Sequence, residues 1–171
     1  MALRVTGNLL EALTSVADYR MLSLSQIAYM HFGGKRSARR RTQQLESDGL
    51  VMVLPVKPTQ RGGRPENVYS LTREGLQVLQ SRYQLSDSIV YDQVCGENLV
   101  RQAGHQLLLG WCRIHLMHCC RALPQVTCRL LSGNSPFALD EKGCSTVSDE
   151  VTFEGETSPV RFTPDATFIL T

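Results

Sequence analysis

A chain of 171 residues with 42% hydrophobic and 20% charged side chains is long enough for one ordinary domain or two small ones, and its composition excludes a disordered chain. The net charge of +2 conceals an asymmetry: residues 1–85 carry twelve Lys and Arg against six Asp and Glu, and residues 86–171 carry six against ten. A basic half beside an acidic half points to nucleic-acid contact by the basic half.

The first twenty residues lack the uninterrupted apolar core and small-residue cleavage site of a secretory signal. The most apolar later stretch, 107–117, is broken by Arg113 and His115, so neither a membrane span nor a membrane partner is expected. Without an export signal, the six cysteines are expected as free thiols in a reducing cytoplasm.

In chain order, Leu9, Leu10, Leu13, Val16 and Ala17 recur at helical spacing and predict a first amphipathic helix over 6–19. Residues 21–23 break it, and Ser23 or Ser25 can cap a short second helix over 26–31. Gly33 and Gly34 form a turn. Ser37 is the expected N-cap of a third helix over 38–48, and Gly49 stands where a left-handed residue closes a helix.

The β-branched run 50–57 reads as a strand, 58–67 as a loop dense in turn formers, and 68–71 as a returning strand. Thr72 caps a fourth helix, REGLQVLQSRY. Three helices, a hairpin and a helix are the order of a winged helix-turn-helix. Residues 84–98 are a polar connection without a readable pattern. The stretch 105–123 predicts one long helix, apolar on most sides and therefore largely buried, which Pro124 ends. Strands are expected over 127–131, 160–162 and 166–170, with one more near 151–153. The expected fold is therefore α+β: an N-terminal winged helix-turn-helix over 1–83, then a small α/β part over 84–171.

The third helix carries the strongest functional signal. Five of the first seven residues of the stretch that opens it, KRSARRRTQQLESDGL (35–50), are basic, and the first acid, Glu46, comes eleven residues after Lys35. At 100° per residue, Ala38, Thr42, Leu45 and Gly49 share the side that can pack on the first two helices. Arg36, Arg40, Gln43, Gln44 and Ser47 fall opposite, flanked by Arg39 and Arg41. Arg and Gln are the side chains that bond guanine and adenine edges bidentately in the major groove. Flanking arginines suit phosphates, which fix register without reading sequence. The hairpin tip adds Lys57, Arg61 and Arg64 around Gly62 and Gly63. The candidate DNA-binding residues are thus Lys35, Arg36, Arg39, Arg40, Arg41, Gln43, Gln44, Arg61 and Arg64, with double-stranded DNA as the partner.

The run LSLSQIAYMHFGGKRSARRRTQQLESDGLV, with GGRPENVYSLTREGLQVL after it, resembles the winged-helix part of the replication-relaxation family. The N-terminal part is also similar to many transcriptional regulators. Two later elements favour the family: AGHQLLLGW with His105, and FTPDATFIL with Pro164, Asp165 and Ala166. The resemblance implies a bacterial plasmid- or mobile-element-borne protein acting in replication, mobilisation or its regulation.

Pro164-Asp165 before an apolar strand also looks like the first half of a PD-(D/E)xK nuclease site, where two acids hold a metal and a Lys helps activate water. No acid or lysine follows before Thr171, six residues on; Glu150, Glu154 and Glu156 lie only upstream. The favoured alternative is that Asp165 caps a turn leading into the strand. A degenerate nuclease-like fold and a piece of a longer protein both fit.

Cys112, His115 and Cys119 at i, i+3 and i+7 suggest zinc. Residues spread over two turns of about 5.4 Å each cannot converge on one ion, and no CxxC pair supplies the rest. A buried core helix is the expected role, with no metal and no cofactor. RGGRP (61–65) lacks the context of a phosphate loop, and no nucleophile elbow is present. The leading expectation is a non-enzymatic DNA-binding protein. The alternatives are a metal-dependent nuclease acting through Asp165, and a protein-interaction adaptor built on a winged helix. The long apolar helix offers a surface for a homodimer, and the C-terminal α/β region can dock a protein partner.

Overall fold

The computed structural model describes residues 7–56, 66–123, 128–131, 135–142, 149–151, 158, 160–162 and 167–170. Its architecture is α+β, and it begins with helix α1 (Asn8–Tyr19), which buries Ala12, Leu13, Val16 and Ala17. Arg20 ends α1 with φ 65°, a positive value rare for a residue with a Cβ. Its surroundings hold it there. The Ser70 hydroxyl donates to the Arg20 carbonyl at 2.9 Å, and the Arg20 guanidinium reaches the Cys95 carbonyl at 3.1 Å.

The turn after α1 delivers Leu22–Ser23 as a two-residue strand, β1. No periodicity is readable in two residues, so the sequence shows only a helix break there. Ser23 then caps α2 (Leu24–Ile27) with a reciprocal capping box: its hydroxyl accepts from the Gln26 amide, and the Gln26 side chain accepts from the Ser23 amide at 2.9 Å. The helix continues as a wider π-helical turn, Ala28–Phe32, and Gly33 closes it at φ 61°. The expected single α-helix over 26–31 thus begins two residues earlier and changes pitch.

Helix α3 spans Lys35–Ser47 with Gly34 at its N-cap, so Ser37 lies inside the helix rather than capping it. Gly49 has φ 71°, as its place after the helix requires. Strands β2 (Val51–Leu54) and β3 (Val68–Leu71) pair antiparallel, Val51 opposite Leu71 and Leu54 opposite Val68. Strand β1 joins the other edge of β3, so the sheet order is β1-β3-β2. Thr72 caps α4 (Arg73–Tyr83), its hydroxyl accepting from the Gly75 amide at 3.0 Å.

The polar connection folds into a helical turn, α5 (Tyr91–Val94), and a 3-10 turn, Glu97–Gln102. The buried Tyr91 hydroxyl donates to the Leu71 carbonyl at 3.0 Å. One hydrophobic cluster joins residues of α1, α2, α3 and the sheet to Leu76 and Leu79 of α4 and to Ile89, Val94, Cys95 and Ile114. Each such aliphatic side chain contributes about 1.5–3 kcal/mol on burial.

Helix α6 (Ala103–Arg121) is not the largely buried helix its composition suggests. It buries Ala103, Gly110, Arg113 and Ile114, while Leu108, Cys112, Leu116 and Cys119 are exposed. Its buried face is made in part by a charged residue. Arg113 donates to the Asp18 carboxylate at 2.8 Å and lies 3.9 Å above the Tyr19 ring. Hydropathy counts Arg113 as polar and Leu108 as apolar, yet the available partners on α1 reverse their places. The remaining strands form two antiparallel pairs: β4 (Cys128–Leu131) with β7 (Thr167–Leu170), and β5 (Asp149–Val151) with β6 (Val160–Phe162).

Candidate nucleic-acid interface

Helix α3 is seated by three residues on one side: Ala38, Thr42 and Leu45 are buried. Thr42 Oγ1 donates to the Ala38 carbonyl at 3.1 Å and also reaches the buried Tyr69 hydroxyl at 3.2 Å, tying α3 to the middle strand of the sheet. At the far end the Leu50 amide donates to the Leu45 carbonyl at 2.9 Å. The Thr72 hydroxyl donates to the Gly49 carbonyl at 2.6 Å. The helix is held at its buried side and at its C-terminus, which leaves its outer side open to solvent.

That outer side is the basic one. Arg36, Arg39, Arg40, Gln43, Gln44 and Ser47 are exposed, and Arg41 is half-buried. Lys35, Arg39 and Gln43 line one flank, where a groove runs to Glu66 and Asn67 at the base of the β2–β3 hairpin. Arg40, Arg41 and Gln44 form the other flank, where the Arg41 guanidinium donates to the Gln44 side-chain oxygen at 3.2 Å. The two glutamines, grouped together by sequence, therefore serve different flanks. Arg61 and Arg64, with Lys57, Gly62 and Gly63, lie outside the described residues, as does Asp165.

The charge distribution runs against helix stability. Helix α3 has no acid in its first turn and no side-chain cap, and its cations cluster where the helix dipole is itself positive. An exposed cation so placed costs about 0.3–1 kcal/mol. Among the described residues, Arg36, Arg39, Arg40 and Arg41 have no acidic partner within ion-pair distance. A local choice that opposes folding marks a place where another requirement operates. The sum of helix dipole and side chains is a concentrated positive field suited to a polyanion.

One participant leaves no trace in the local sequence. Lys35 Nζ lies 3.4 Å from Glu66 Oε1, and the same oxygen accepts a short bond from the Ser25 hydroxyl. Glu66 thus links the first turns of α2 and α3 to the hairpin. Nothing in its loop-like context signals this, because the three residues meet only through the antiparallel return of β3.

The cysteines and histidines of α6 do not form the buried core expected from composition. Cys112, His115 and Cys119 are exposed, and His115 stacks on Trp111 at 21° between ring planes. Among the described residues no group of three or more His, Cys, Asp or Glu is arranged to hold a metal ion. Elsewhere in the helical layer, half-buried His31 bonds Ser15 Oγ at 2.9 Å, with the Glu11 carboxylate 4.0 Å from its other ring nitrogen.

These features define an α+β protein whose first two helices and sheet hold a basic third helix open to solvent. The chain belongs to the replication-relaxation family, whose model matches residues 13–168. Membership points to a replication-related function. No curated protein and no solved structure matches the chain. Among the described residues no helix is long and apolar enough to cross a membrane.

Proposed function

We propose that this chain is a duplex-DNA-binding protein of a bacterial plasmid or mobile element, acting in the cytoplasm in replication, mobilisation or its regulation. In this reading α1 to α3 with the β2–β3 hairpin form a winged helix-turn-helix, and α3 enters the major groove. The observation that carries it is the exposed face of α3: cations without acidic partners among the described residues, gathered at an uncapped helix start. Arg39 and Arg40 are the phosphate and base-edge contacts of the two flanks, and Gln43 faces base edges from the groove side. Arg36, Arg41, Gln44 and Lys35 extend this surface. Arg61 and Arg64 are assigned to a wing along the backbone or minor groove, where the negative potential favours Arg. The protein acts by binding, without cleaving the DNA.

The test is duplex binding at several salt concentrations. Replacing Arg39, Arg40 and Arg41 together with Ala should weaken binding ~10-fold or more and reduce the salt slope by about 0.9 for each phosphate no longer neutralised. The circular dichroism spectrum should persist. Unchanged affinity with an intact spectrum would remove α3 as the recognition helix. Plasmid DNA incubated with magnesium or manganese should remain uncut; nicking that disappears in Asp165→Ala would establish the nuclease reading instead.

A further inference from the structure

We propose that the Ser25 hydroxyl and the Lys35 ammonium form a seat for one DNA backbone phosphate, which the Glu66 carboxylate occupies while the chain is free of DNA. The seat rests on the reading of α3 as a duplex-binding helix and adds an internal competitor to it. Both donors converge on one atom: Ser25 Oγ donates to Glu66 Oε1, and Lys35 Nζ lies 3.4 Å from the same oxygen. An ammonium and a hydroxyl closing on a single anionic oxygen are the donors that proteins bring to a backbone phosphate.

Both donors stand on packed elements. Ser25 is in the first turn of α2, between buried Leu24 and Gln26, and Lys35 opens α3, whose first turn is seated by buried Ala38. Backbone pairing brings Glu66 to them. The Leu24 amide donates to the Asn67 carbonyl at 3.0 Å, and Ser23 stands opposite Val68 in the sheet. The contact lies in a groove of about 450 Å³, with Lys35, Arg39 and Gln43 on one wall and Glu66 and Asn67 on the other. Among the described residues, Glu66 is the one acid within ion-pair distance of any cation of α3. Left in place against a duplex, its charge would face phosphates; swung aside, it uncovers two donors in fixed positions. The Lys35 side chain is 66% exposed and that of Glu66 33%. An ion pair this open is weak, so a phosphate within the dense charge of a duplex can displace it.

Glu66→Gln keeps the shape of the side chain and removes its charge. Duplex binding by the full chain should tighten about 3-fold, the effect of one exposed ion pair, and equally on duplexes of different sequence. The melting temperature without DNA should fall slightly, because the contact that competes with phosphate also steadies the free chain. Glu46→Gln removes the other acid lining the groove among the described residues and leaves the contact of Ser25, Lys35 and Glu66 intact. It should tighten binding less than Glu66→Gln does. In a Ser25→Ala, Lys35→Gln background the difference between the two substitutions should disappear. Equal gains in the unaltered background overturn the seat, since they report only general charge. A fall in affinity together with stability overturns it too, because Glu66 would then be structural. A change confined to particular sequences would assign Glu66 to a base edge instead. If neither the unaltered chain nor Glu66→Gln binds duplex, the duplex-binding reading fails and the seat with it. If the arginine substitutions weaken binding while Glu66→Gln leaves it unchanged, the seat alone fails.

Discussion

His31 is the clearest titratable contact in the helical layer. Burial holds its pKa below the ordinary value of about 6.5, partly offset by the Glu11 carboxylate, while Arg121 lowers it further. The folded state therefore binds the His31 proton more weakly than the unfolded chain does. The neutral ring is accommodated at full stability above about pH 6.5. As pH falls from there through the depressed folded value, the unfolded chain takes up the proton first and stability is lost. Urea midpoints at pH 7.5 and pH 5 should fall further for the unaltered protein than for His31→Asn, whose side chain does not titrate. An identical pH dependence in both would mean that His31 is not held neutral by its surroundings.

At the scale of elements, the position of α3 depends on how closely α4 approaches the turn behind it. A Cβ built on Gly75 would lie 2.2 Å from the Leu50 carbonyl oxygen and 2.8 Å from a Leu71 methyl group. The first of these is backbone and cannot swing aside. In an exposed helix Gly→Ala gains about 1 kcal/mol; here Gly75→Ala should instead destabilise by about 1–3 kcal/mol, because the helix must move. Chemical denaturation gives the sign directly, and a stabilised variant would contradict the close packing of α4 on the 49–50 turn. DNA affinity should fall with it, since the same turn fixes the C-terminus of α3. Thr72 illustrates how much of this is legible in the sequence. Its role as a cap follows from its place before REGLQVLQSRY, whereas its bond to the Gly49 carbonyl does not.

At the scale of the molecule, α6 is fixed to the first two helices at two points. Gln26, already engaged in its capping box, donates from Nε2 to the Leu107 carbonyl at 2.8 Å. Arg113 donates to Asp18 and covers Tyr19, with its Nε buried and unbonded among the described residues. Breaking a buried pair from one side strands the other charge, so Asp18→Ala should cost about 2–4 kcal/mol, allowing for the partial exposure of Asp18. Arg113→Met, which removes the charge and keeps the aliphatic volume, should cost less. Equal losses in thermal or urea unfolding would mean that packing over Tyr19, and not the charge pair, carries this junction.

Local sequence was enough to establish α1, α3, α4 and the course of α6, the hairpin strands, the family and the basic outer face of α3, but not α5 or the π-helical turn after α2. All but the family rest on near neighbours: 3.6-residue periodicity, caps such as Thr72, the left-handed Gly49, and charge confined to one side of a helix whose other side is Ala38, Thr42 and Leu45. Which face of α6 lies inside was settled only by tertiary packing. Composition made that helix look largely buried, but a helix is covered only where a neighbour offers a matching surface. On α1 that surface is Asp18 and Tyr19, which accept Arg113 and leave Leu108 and Leu116 outside. The same is true of β1, whose two residues become a strand only because β3 lies alongside, and of Glu66, which meets Lys35 and Ser25 across 31 and 41 positions of chain. Periodicity records the preferences of neighbours in sequence; contacts between distant segments depend on which surfaces folding brings together.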